Sequence, residues 1–225
     1  CGAGRADDGL LQTALQTASG NRAQLERALA DAPQDQQAGM RFLIENMPPG
    51  DLQTLSADFL LENSRLAWQA LRESAWADRV PQEIVFDSLL PYANINERRD
   101  AWRKDFFERF RPMVKEAKTP GEAAAILNQQ VFPLLKVKYS TQRKKADQSP
   151  LESMESGLAS CTGLSVLLVD ACRAVGVPAR PRRPRHAGPW PVTALLRPRP
   201  LAGAAGRLPD RRPPRRRRRR SRPGG

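Results

Sequence analysis

The chain has 225 residues, 40% of them hydrophobic and 27% charged, enough to bury the core of one ordinary domain or two small ones. Its formal net charge is +13, but residues 181–225 hold 15 Arg against one Asp, and the first 180 residues sum to −1. Any attraction to polyanions is therefore confined to the tail. No run of about 18 apolar residues occurs, so no stretch reads as a membrane-spanning helix.

The chain opens Cys1-Gly2-Ala3-Gly4, and no secretory leader pattern is visible within it. A first Cys followed by small residues suits a mature bacterial lipoprotein. This makes Cys1 a candidate lipid anchor and the cell envelope or periplasm the expected location; the alternative is a fragment start. With Cys161 and Cys172 there are three cysteines. Three make no disulfide framework, and no His stands near them at metal-ligand spacing, so neither a metal nor a cofactor is expected.

Residues 8–130 read as successive helices. Leu10, Leu11 and Leu15 recur at helical spacing, as do Leu25 and Leu29, with Ser19 or Asn21 as a cap between them. Met40, Leu43, Ile44 and Met47 form a stripe that the turn Pro48-Pro49-Gly50 closes. A longer helix is expected over Ala57–Asp78, and Pro81 suits the first turn of another over Gln82–Leu90. Trp102, Phe106 and Phe110, spaced by four, put three rings on one helix face, which reads as core rather than as a stacking platform for bases. Thr119-Pro120-Gly121-Glu122 is a capping box that starts a helix through about Val131. Residues 142–150, with Arg143, Lys144 and Lys145, read as a polar, solvated connection.

Residues 156–180 carry the chemistry. Leu164, Leu167, Leu168, Ala171, Cys172 and Val175 mark a buried helix, Ser160 its N-cap, and Gly176 and Pro178 its stop. Cys161 becomes the first helical residue, where unpaired amides and the positive end of the helix favour a thiolate. Thr162, Gly163 and Ser165 are small and leave room for a substrate carbonyl. Cys172 stands eleven residues on, about 16 Å along the axis, too far for a disulfide, and reads as core.

This segment resembles the transglutaminase-like superfamily, whose fold is related to papain. There a nucleophilic Cys opens a buried helix that ends as Cys172-Arg173-Ala174-Val175-Gly176-Val177-Pro178-Ala179-Arg180 does here. The resemblance implies Cys161 as the catalytic nucleophile, a thioester intermediate, and a protein or peptide substrate. Two positions depart from the pattern: Ala159 stands where many members have Gly, and Gly163 where many have Asp. The family also carries a His on the next strand and an Asp on the one after. Here the one histidine, His186, lies among Pro184, Pro189 and Pro191, and Asp210 precedes an Arg run, so neither reads as part of a strand. Gln148 is an upstream amide of the type that completes an oxyanion site.

After Arg180 the composition changes. Residues 181–225 contain 15 Arg, 10 Pro and 5 Gly but no Phe, Tyr, Met, Ile, Asn or Lys. The missing residues are those of A/T-rich codons, and selection for charge gives no reason to avoid Lys, so a frameshift near Arg180 is the expected origin of the tail. The alternative is a disordered basic arm that binds nucleic acid or anionic lipid through Arg215–Arg220. A third reading is a catalytically dead scaffold for partner contacts. The expected fold is mostly α: a helical extension over 1–135, the Cys-helix half of an α+β transglutaminase-like core over 136–180, and a disordered Arg/Pro tail over 181–225. With no credible base, the expected enzyme is incomplete and inactive.

Overall fold

The computed structural model describes residues 8–181. In chain order the helices are α1 (Asp8–Thr17), α2 (Arg22–Asp31), α3 (Gln37–Asn46), α4 (Pro49–Thr54), α5 (Ala57–Arg72), α6 (Gln82–Ser88), α7 (Trp102–Phe110) and α8 (Pro120–Leu135). There follow β1 (Lys138–Tyr139), α9 (Pro150–Ser156), β2 (Leu158–Ala159) and α10 (Cys161–Ala174). The two strands pair in parallel, Lys138 with Leu158 and Tyr139 with Ala159. The described part is thus mostly helical, as its 3.6-residue periodicity requires. None of these helices is long and apolar enough to cross a membrane.

Two apolar clusters form the interior. One gathers α1–α4 and the start of α5 around Leu25, Met40, Ile44 and Leu60. The other surrounds α10 with the aromatic stripe of α7, the apolar face of α8 and the end of α5. Trp102, Phe106 and Phe110 are all buried, with Phe106 and Phe110 meeting edge to face at 5.2 Å, so the stripe is core.

Several boundaries differ from expectation, each for a local reason. Asn21 stands at the N-cap of α2 but makes no side-chain cap hydrogen bond; its amide instead reaches Leu52 O and Leu55 O, both at 2.9 Å, and ties α4 to the first helices. Pro49 is the first residue of α4 rather than a turn, because its fixed φ and missing N–H suit a helix start. Helix α5 stops at Arg72, and Trp76 turns inward to donate from Nε1 to Gly176 O at 2.7 Å. Helix α6 ends at Ser88, short of Leu90. Helix α8 runs past Val131 to Leu135 and contains Pro133, close enough to the end that Lys136, in the left-handed conformation, closes it.

The connection 142–150 is solvated over residues 142–147, but its end departs from that reading. Gln148, Ser149 and Pro150 are buried, and Ser149-Pro150-Leu151-Glu152 is a complete capping box that opens α9. Glu152 Oε2 accepts from Ser149 N at 2.9 Å and pairs with Lys145 Nζ at 3.0 Å.

Candidate active site

Cys161 is positioned by what precedes it. Gly157, at φ +66°, ends α9 in the left-handed region that glycine adopts freely. The chain then runs two residues beside β1, where Lys138 N donates to Gly157 O and Ser140 N to Ala159 O, both at 2.9 Å. Ser160 caps α10: its Oγ accepts from Gly163 N at 3.0 Å and donates to Ala146 O. The cap takes the third amide of the helix and leaves those of Cys161 and Thr162 without a partner among the described residues.

The two described cysteines are free and opposite in setting. Cys161 is exposed at the head of α10, and Leu164, Ser165 and Leu168 continue its half-buried stripe. Cys172 is buried, and that burial pushes its thiol up to about 12, with Arg173 opposing the shift and Asp170 adding to it. Of the two, only Cys161 is open to solvent.

Gln148 lies against the first turn of α10, its Cβ 3.8 Å from where a Cβ on Gly163 would stand. It offers no oxyanion donor, however. Its amide nitrogen is committed to Leu158 O at 3.0 Å and Ser156 Oγ at 3.1 Å. Its Oε1 and the nearby Ser153 Oγ are buried without a partner. The small residues here are coupled: a Cβ on Gly163 would stand 3.1 Å from Ala159 Cβ and 3.5 Å from Ser153 Oγ. Ala159 thus occupies the room a side chain at 163 would need.

The ending of α10 proves to be a brace. Arg173 Nε donates to Ala179 O at 2.9 Å, and its Nη1 to Ala93 O at 3.0 Å and Pro91 O at 3.2 Å. Arg103 of α7 enters the same region, bonding Arg173 O at 3.1 Å, Leu89 O at 3.0 Å and Asn63 Oδ1 at 2.8 Å. Burial lowers the Arg103 guanidinium to about 9, and neighbouring Arg173 acts in the same direction. Asp170 accepts from Asn94 Nδ2 at 2.8 Å and lies 3.8 Å from Arg173 Nη1, while its Oδ2 has no partner. Its carboxyl is pushed up to about 8, chiefly by burial and further by Glu97, against Arg173 and Arg103.

Sequence reasoning missed Arg103 and Asp170. Asp170 and Arg173 had a legible signal, two charges spaced by three inside an otherwise apolar helix. Arg103, beside Trp102 on a polar-aromatic helix, had none. Asp170 is nine residues from Cys161, about 14 Å along the axis, so it cannot orient a base for the thiol. The described residues contain no histidine and no cluster of metal-binding side chains. His186, Asp210, Cys1 and Arg215–Arg220 lie outside the described residues.

Residues 108–195 match the family model of the transglutaminase-like superfamily. The likeness covers less than half of the chain. The match takes in α8, both strands, α9 and the whole of α10, and it continues past Arg180 to include His186. No curated protein and no solved structure matches the chain.

Proposed function

We propose that Cys161 is the nucleophile of a thiol acyl-transfer or amide-hydrolysis reaction. The supporting observation is its place: an exposed thiol at the head of a buried helix, within the transglutaminase-like segment, beside two amides with no partner among the described residues. Cys161 Sγ would attack an acyl carbonyl and form a thioester, expelling an amine that carries away a proton. Water or a second amine would then attack the thioester and restore the thiol. The free amides of Cys161 and Thr162 are of the type that stabilises the oxyanion between these states.

The proton needs a base, and no described residue supplies an imidazole. If residues 181–225 are a frameshift product, the chain reacts with electrophiles at Cys161 but does not turn over amides. The test is alkylation by iodoacetamide near neutral pH, followed by peptide mapping. Cys161 should label at least tenfold faster than Cys172, and Cys161→Ser should abolish the fast phase. Equal rates for both cysteines would overturn the assignment. Reading all three frames of the coding DNA from Val175 onward tests the frameshift separately: a frame that continues into strands bearing a His and a later Asp restores a full catalytic set.

The arginine-rich arm supports a second reading, sequence-independent binding of nucleic acid or anionic lipid, since 15 Arg give a steep salt dependence. Removing residues 181–225 should then abolish binding, while Cys161→Ser should not affect it.

A further inference from the structure

From Ala123 to Ala146 the chain has no acidic residue, while it carries Lys136, Lys138, Arg143, Lys144 and Lys145. The structure folds this run around the approach to Cys161. Ala146 O takes the Ser160 hydroxyl at the cap of α10, and Ser140 N bonds Ala159 O two residues before the nucleophile. Lys145 is neutralised by Glu152, and Arg143 turns back onto Thr141 O at 3.0 Å. Lys136, Lys138 and Lys144 are exposed and make no ion pair among the described residues.

Beside them lies a strand edge with no partner among the described residues. In a parallel pair, alternate residues bond to opposite sides. Lys138 and Ser140 face β2, so the N–H and C=O of Tyr139 face outward. Both residues of β1 are exposed, Tyr139 at 61% despite its aromatic ring. An unpaired edge with an exposed aromatic and like charges is suited to strand addition by a segment of opposite charge. The chain's own tail, with 15 Arg and one Asp, has the wrong charge to fill it.

We propose that the outer edge of β1, with Lys136, Lys138 and Lys144, docks an extended acidic segment of the acyl-donor protein beside Cys161. Calling that protein the acyl donor rests on the reading of Cys161 above; the docking itself does not. Tyr139 pairs with Ala159, two residues before Cys161, so a segment added to this edge runs alongside the residues that lead into the thiol.

The test uses the full chain and two bromoacetyl-capped peptides of equal length, one Glu-rich and one Lys-rich, with iodoacetamide as a neutral reference. The Glu-rich peptide should label Cys161 about fivefold faster than the Lys-rich one at low salt. The preference should collapse in Lys138→Glu/Lys144→Glu, with the iodoacetamide rate unchanged. The tail is common to both proteins, so the difference isolates the lysines. An identical preference in both overturns the proposal. If iodoacetamide fails to single out Cys161, the nucleophile reading falls instead. Docking is then read from fluorescence polarisation of the uncapped Glu-rich peptide, which should bind the double variant about fivefold more weakly; equal binding overturns it. Methylating alternate backbone amides of that peptide should weaken binding in one register only. No effect in either register overturns strand addition.

Discussion

Position 163 shows how narrowly the first turn of α10 is built. Ala159 and Gly163 face each other so closely that a Cβ at 163, 3.1 Å from Ala159 Cβ, requires one of them to give by a few tenths of an ångström. The two positions that depart from the transglutaminase-like pattern are thus neighbours in space, and their side chains should be energetically coupled. Gly163→Asp alone should destabilise the protein by about 1–3 kcal/mol through crowding against Ala159 Cβ, with further cost from desolvating the carboxylate. Adding Ala159→Gly should recover much of that loss, because it clears the methyl and lets the carboxylate reach the unpaired hydroxyl of Ser153. Urea denaturation of the two single variants and the double variant measures the coupling, and additive losses would refute it.

At the scale of elements, the ending of α10 does structural work that its sequence pattern alone does not reveal. Arg173 draws together Pro91, Ala93 and Ala179, and Ala179 N closes onto Ser88 O at 2.8 Å. Removing the guanidinium takes the donors from Ala179 O and Ala93 O and leaves Asp170 and the space around it without their buried cation, so Arg173→Ala should cost roughly 3–5 kcal/mol, and Arg173→Lys should recover little of it because an ammonium lacks the planar fork. Thermal melts of the three proteins check both statements. Gly176 is constrained differently: at φ +82° an added Cβ would stand 2.5 Å from Ala70 O, against backbone that cannot swing aside. Much of α10 was legible beforehand, because N-cap, apolar spacing and stop signal all lie within one short segment. The second capping box at Ser149 and the inward turn of Trp76 were not. The first was masked by the polar run preceding it, and the second depends on a partner 100 residues away.

Across the whole molecule, the buried charges of α7 and α10 tie acid–base chemistry to folding. Asp170 was readable as a charge in an apolar helix, but its surroundings come from Asn94, Glu97 and Arg103, which the fold alone brings to it. A base for the proposed reaction at Cys161 was not legible either, since the only histidine is set among prolines. The Asp170 carboxyl titrates near 8 in the folded protein, against about 4 in an unfolded chain. Between those values the folded state holds a proton that the unfolded state releases, so stability must fall as pH rises through that window. The contribution is fully present below about pH 4 and lost as pH passes about 8. Arg173 and Arg103 oppose the shift, yet the carboxylate's Oδ2 has no donor and Arg173 spends its N–H groups on carbonyls, so burial prevails. Asp170→Asn keeps an acceptor for Asn94 while removing the titration. Urea unfolding at pH 5, 6, 7 and 8 should show wild-type stability declining more steeply than that of the Asn variant, with the gap widening toward pH 8. Parallel profiles would mean that the two arginines hold Asp170 ionised throughout, making the cluster a permanent ion triad rather than a protonated acid beside two carbonyl-bound cations.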